Sequence, residues 1–108
     1  MGLSTHVLDT MNGCPAAGMA VTLYTVSGDT AALVRNYTLN SDGRTDGPLY
    51  DNNTLKTGTY RLVFDVAAWA GPDAFFPEVT IAFTVSEERH HHVPLLLSPF
   101  GYSTYRGS

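Results

Sequence analysis

The chain has 108 residues, 44% of them hydrophobic and 15% charged, with a formal net charge of -4 and only 6 Lys and Arg. That length lies near the commonest domain size, so a single domain over residues 1–108 is expected and a separate cofactor domain is excluded. The scarce cations argue against nucleic acid as a partner, and the longest apolar run, Val93–Leu97 with Pro94 inside it, is far short of the roughly 20 residues of a membrane span.

Period-two alternation of apolar and polar side chains is the recurring pattern, and it predicts strands. Leu3–Asp9 is the first, with Leu3, Thr5 and Val7 on its inner face and His6 on the other. Asn12-Gly13-Cys14-Pro15 follows as a turn, and its Cys14, the only cysteine, reads as a passive residue because no partner or base accompanies it. Met19, Val21 and Leu23 alternate with Ala20, Thr22 and Tyr24 in a second strand that Ser27-Gly28-Asp29 ends. Leu33–Leu39 is a third strand, Ser41-Asp42-Gly43 a turn, and Arg44–Leu49 a fourth strand. Beyond the turn formers Asp51-Asn52-Asn53 and Lys56-Thr57-Gly58, the residues Tyr60, Leu62, Phe64 and Val66 mark a fifth strand with a face made for a core.

Helix is expected at one place only, Val66–Ala70, where Ala67, Ala68 and Ala70 favour a turn or two and Gly71-Pro72 stops it. Val79, Ile81, Phe83 and Val85 carry a sixth strand, and His90–Leu97 a seventh. After Ser98-Pro99, Gly101–Arg106 reads as the last. Eight short strands separated by turn formers predict an all-β sandwich. The start of the chain lacks the basic cluster and apolar stretch of a secretory signal, so a cytoplasmic protein is expected.

Three features could carry chemistry. Of the 4 histidines, His90, His91 and His92 are consecutive. Strand alternation groups His91 with Val93, Leu95 and Leu97 on the core side and turns His92 outward, as it does His6. The pair reads either as a site on the outer surface of a sheet or as solvated strand ends. Arg44 sits between Ser41-Asp42-Gly43 and Thr45-Asp46-Gly47, where its guanidinium can hold an oxygen-rich anion or simply pair with Asp42 or Asp46. The terminal segment is aromatic and hydroxyl-rich, with Tyr102 and Tyr105 suited to an interface, which is unusual for a chain end.

Together these segments resemble a known family. Leu3-Ser4-Thr5-His6-Val7-Leu8-Asp9-Thr10, Asp42-Gly43-Arg44, His92-Val93-Pro94-Leu95-Leu96-Leu97-Ser98-Pro99 and above all Tyr105-Arg106-Gly107-Ser108 are similar to the transthyretin-related family, and the terminal four residues to its 5-hydroxyisourate hydrolases. The resemblance covers essentially the whole chain. It implies a transthyretin-like β-sandwich of two four-stranded sheets with one short helix. It also implies hydrolysis of 5-hydroxyisourate to 2-oxo-4-hydroxy-4-carboxy-5-ureidoimidazoline in urate degradation, without a cofactor.

By the same resemblance His6, Arg44, His92 and Ser108 are the catalytic positions, and Tyr105, Arg106 and Gly107 bind substrate. One histidine would activate water while the other orients or protonates the leaving nitrogen, and Arg44 would hold the anionic ring and the oxyanion. The family's tetramer, with sites in the clefts between dimers, implies a homotetramer here, which agrees with the scarcity of charge. His91 stands where the family commonly has an aromatic residue, so the His run is not a metal motif in this reading. Two other functions compete: a zinc-dependent hydrolase using His6, His90 and His92, and a transthyretin-like carrier without turnover.

Overall fold

The computed structural model describes residues 2–49, 55–87 and 89–107. Within them the chain forms β1 (Gly2–Asp9), β2 (Cys14–Pro15), β3 (Ala20–Ser27), β4 (Thr30–Thr38), β5 (Gly58–Asp65), α1 (Val66–Ala70), β6 (Glu78–Val85), β7 (His90–Ser98) and β8 (Gly101–Thr104). They assemble as two four-stranded sheets with strand orders β2-β1-β7-β8 and β4-β3-β5-β6. The all-β sandwich with one short helix is therefore the observed architecture. None of the helices among the described residues is long and apolar enough to cross a membrane.

The alternation that predicts the strands also assigns their faces. Leu3, Thr5 and Val7 of β1 and Val93, Leu95 and Leu97 of β7 are buried, and so are Val21 and Leu23 of β3 and Leu62 and Phe64 of β5. These side chains join one continuous apolar core with Val79, Ile81 and Val85 of β6 and with the loop residues Leu39, Leu49 and Leu55. Thr5, the polar member of the inner face of β1, donates its hydroxyl to the Val93 carbonyl at 2.6 Å, so its burial leaves no unmet polar group.

Helix α1 occupies the expected residues. The Asp65 carboxylate caps it by accepting from the Ala68 amide at 3.2 Å, and Gly71, at φ 114, closes it through its amide to the Ala67 carbonyl. Trp69 anchors it across the fold by donating its indole N–H to the Ala17 carbonyl at 3.1 Å.

Four predicted elements need correction. Arg44–Leu49 is not a strand; it runs along the edge of β1 as bends, tied by Val7 N–H to the Gly43 carbonyl and by Leu49 N–H to the Leu3 carbonyl. Gly47 and Pro48 keep it from forming a ladder, the one by conformational freedom and the other by lacking an amide proton. The fourth strand of that sheet is instead the Cys14–Pro15 segment read as part of a turn, which pairs antiparallel with Leu8 and Asp9. Leu33–Leu39 is present as the longer β4, an exposed edge strand. The last strand stops at Thr104 rather than Arg106 because Tyr105 comes to lie opposite Pro94, which has no N–H to donate.

β1 and β7 are parallel neighbours with Ser4 opposite His92 and His6 opposite Pro94. This pairing joins residues more than eighty positions apart and sets up the outer face described next.

Candidate active site

On the outer face of the β2-β1-β7-β8 sheet, β1 presents Ser4 and His6 while β7 presents His90 and His92. Because Ser4 faces His92 and His6 is two residues further along, the two imidazoles are diagonal neighbours on adjacent strands, with Cα atoms about 7–8 Å apart by strand geometry. His6 and His92 are half-buried, whereas His90 is exposed.

Arg44 reaches this face through a loop that Asn40 organises. The Asn40 side-chain oxygen accepts from the backbone amides of Asp42 at 2.9 Å and Arg44 at 3.2 Å. Its Nδ2 donates to the Asp46 carboxylate at 3.1 Å. The Asn40 amide donates to the Arg44 carbonyl at 2.7 Å, closing the turn. Gly43, at φ 72, lies so close to β1 that a Cβ there would fall 2.6 Å from the Val7 carbonyl oxygen and 2.9 Å from the Pro15 Cβ. Only glycine lets the loop sit against β1 in this conformation. The pairing of Arg44 with Asp42 or Asp46 that the sequence left open is not found: among the described residues Arg44 makes no ion pair, and Asp46 is engaged by Asn40.

Electrostatics tie the three groups together. The His92 pKa lies below the ordinary histidine value of 6.5, first because burial disfavours the imidazolium and then because of Arg44, His6 and His90. The His6 pKa is lowered too, again by burial first and Arg44 second, although a hydrogen bond to the Asp42 backbone and the Asp42 charge pull the other way. Both imidazoles are therefore held toward the neutral form, which can take a proton from water at neutral pH.

The chain end closes over His92. The register that pairs Leu95 with Thr104 continues past the break at Pro94 to a bridge between His92 and Gly107, whose amide donates to the His92 carbonyl at 2.8 Å. Thr104 holds the intervening stretch by donating its hydroxyl to the Pro94 carbonyl at 2.7 Å. Gly107 is buried against the His92 ring. Tyr105 is exposed, and the Arg106 guanidinium extends to the Glu87 carboxylate at 3.9 Å. The structure thus gathers His6, Arg44, His92 and Gly107, while Tyr105 and Arg106 are exposed. Ser108 lies outside the described residues.

His91 sits on the core side as alternation requires, 4% exposed, with Nδ1 2.8 Å from the Arg89 carbonyl oxygen. The grouping of His6, His90 and His92 into a zinc site is not what the geometry offers. Among the described residues no three His, Cys, Asp or Glu side chains are arranged to hold a metal ion, and one ring nitrogen each of His90 and His92 meets the Ser4 hydroxyl. Sequence reasoning missed Ser4 and Asn40. Ser4 carries a signal, since it shares the outer-face parity of His6; Asn40 precedes the Asp42-Gly43 turn as such a residue commonly does. An apolar groove elsewhere is lined by Trp69, Phe75, Phe76, Leu97 and Phe100, and neither imidazole nor Arg44 contributes to it.

Comparison with known proteins adds the lineage. The model of the HIUase/Transthyretin family matches residues 3–107. A protein of Deinococcus radiodurans named 5-hydroxyisourate hydrolase is 51% identical, over 99% of this chain and 96% of its own length. The solved Klebsiella pneumoniae 5-hydroxyisourate hydrolase superposes with a TM-score of 0.84 at 36% identity, covering 100% of both chains. Sea bream transthyretin, solved in complex with thyroxine, superposes with a TM-score of 0.88 at 25% identity, over 99% of this chain and 95% of its own. With the family model matching residues 3–107 and a relative 51% identical over 99% of this chain, this chain belongs to the HIUase/Transthyretin family.

Proposed function

We propose that the protein is a cofactor-independent hydrolase that opens the six-membered ring of 5-hydroxyisourate. The observation that carries this reading is the convergence of two imidazoles of lowered pKa with a loop guanidinium on one sheet face. The relatives named for this activity, similar along the full length of the chain, support it.

In this mechanism a water molecule attacks the ring carbonyl while a neutral imidazole removes its proton. His92 takes that role at Nε2, because its other ring nitrogen is held by Ser4 and its ring face by Gly107. His6, beside Asp42 and Arg44, orients the substrate or supplies a proton to the departing ring nitrogen. Arg44, unpaired among the described residues, binds the anionic ring and steadies the negative charge that forms on the carbonyl oxygen. The terminal residues through Ser108 limit water access and position the substrate.

The working assembly in this proposal is a homotetramer with its sites in the clefts between dimers. Support comes from the exposed aromatic cluster of Phe75, Phe100 and Tyr102, from the open sheet face that bears the imidazoles, and from the charged fraction of 15%. A carrier role is less well supported, since the corresponding face presents imidazoles and a guanidinium rather than apolar walls.

The direct test is to generate 5-hydroxyisourate from urate with urate oxidase and follow its ultraviolet absorbance with and without this protein. Acceleration over spontaneous decay is expected, and decay at the spontaneous rate would refute the proposal. Sedimentation analysis in parallel reports the number of subunits.

A further inference from the structure

Ser4 stands between His90 and His92 on the outer face of the sheet. Its Oγ lies 2.8 Å from His90 Nε2 and 2.8 Å from His92 Nδ1, so one hydroxyl joins two imidazoles that project from the same face of β7. The spacing follows from the parallel register: Ser4 is opposite His92, and His90 is two residues back along the same strand.

A hydroxyl carries one proton. If it donates to His90 Nε2, it can only accept from His92 Nδ1; if it donates to His92 Nδ1, it accepts from His90 Nε2. The tautomers of the two rings are therefore linked. His92 can serve as a base at Nε2 only when Nδ1 bears the proton, which is the first of these two arrangements. His92 Nε2 makes no hydrogen bond among the described residues, and His90, the far end of the chain of bonds, is exposed to solvent.

We infer that Ser4 is a positioning residue that holds His92 in the Nδ1–H tautomer and links it to His90 as an outlet for protons. A proton from the attacking water binds His92 Nε2, the Nδ1 proton passes to Ser4 Oγ, and the Ser4 proton passes to His90 Nε2. His92 is left neutral with its proton on Nε2, the positive charge resides on His90, which releases a proton to bulk water, and the leaving nitrogen takes its proton from His6. One proton enters and one leaves. The other charged and titratable groups that act on His92 are His6 of β1 and Arg44 of the loop, both of which disfavour a lasting charge on it. From the tail, Arg106 is directed to Glu87.

This inference rests on the hydrolase reading for its catalytic meaning, but its test includes a measurement that does not require turnover. Long-range ¹H–¹⁵N spectra of the imidazoles in the wild-type protein at neutral pH are expected to show His92 as the Nδ1–H tautomer. In Ser4→Ala the ring is expected to shift to the commoner Nε2–H form, and in Ser4→Thr, which keeps the hydroxyl, to retain the wild-type form. In the kinetic arm Ser4→Ala is expected to lower kcat about 10- to 100-fold with KM within about twofold, and Ser4→Thr to restore most of it. His90→Gln is expected to lower kcat as well, and the double variant to be no worse than Ser4→Ala alone, since both break one chain. A wild-type His92 in the Nε2–H form, an unchanged tautomer in Ser4→Ala, or effects of Ser4 and His90 that multiply would each overturn the inference. Absence of hydrolase activity in wild type would instead overturn the functional reading and leave the tautomer result to stand or fall separately.

Discussion

A Cβ built on Gly107 would lie 2.6 Å from Cδ2 and 3.0 Å from Cβ of His92, so the terminal segment rests directly on the imidazole. No heavy-atom contact this short survives, and either the tail or the ring must move. Gly107→Ala is therefore expected to reduce kcat/KM at least about tenfold while changing stability by less than about 0.5 kcal/mol, because the affected bridge is at the chain end. Deleting residues 105–108 should abolish turnover with the fold intact. Steady-state rates compared with thermal melts check both, and an unaffected rate in the deletion would make the tail purely structural.

His6, Arg44 and His92 project from the outer face and its flanking loop, away from the core that holds the sheets together. Replacing each with Ala should leave the melting temperature and subunit number close to wild type. Activity is expected to fall about 10²- to 10⁴-fold for the histidines and about 10²- to 10³-fold for Arg44. A His92→Ala protein with full activity would remove that residue from the mechanism.

Both imidazoles have folded-state pKa values below 6.5, with burial the larger cause and Arg44 the next. A lowered pKa means that the unfolded chain takes up the proton first as pH falls. Stability linked to these groups is thus fully present above pH 6.5 and is lost as pH falls from 6.5 through the folded midpoints. The acid limb of kcat/KM should fall below pH 6.5 for the same reason. Imidazole C–H titration by NMR checks the midpoints, and Arg44→Ala is expected to raise both, since it removes a positive neighbour.

Asn40 bears no part in the chemistry, yet it accepts from the amides of Asp42 and Arg44 and so shapes the loop that delivers the guanidinium. Asn40→Ala is expected to destabilise the fold by about 1–2 kcal/mol and to raise KM and lower kcat together, because Arg44 loses its fixed position. Urea midpoints and steady-state kinetics separate the two effects. Asn40→Asp, which keeps the accepting oxygen but sets a second carboxylate against that of Asp46, should recover only part of both.

Much of the fold was legible residue by residue. Leu3, Thr5 and Val7 had to share one face, as did His91, Val93, Leu95 and Leu97, because side chains alternate along any strand whatever it pairs with. The same parity turned His6 and His92 outward, and Ala-rich Val66–Ala70 before Gly71-Pro72 announced its own helix. Arg44–Leu49 carries no true alternation, since only Pro48 and Leu49 are apolar, and its backbone does not pair: Pro48 has no proton to donate, and Asn40 draws the amides of Asp42 and Arg44 into a turn. The two-residue β2 was too short to show any period at all.

What local pattern could not supply was register between distant segments. Nothing in residues 2–9 or 90–98 says that these strands run parallel with Ser4 opposite His92, or that the tail returns to lay Gly107 on the same ring. The sequence by itself determined the strands, their faces, the outward histidines and, through family likeness, their importance. The tertiary structure decided which groups meet: Ser4 with two imidazoles, Gly43 with the β1 backbone, Gly107 with His92. Alternation is a property of neighbouring residues, whereas these contacts depend on how both sheets close over one shared core, and that closure is set by all the buried side chains at once.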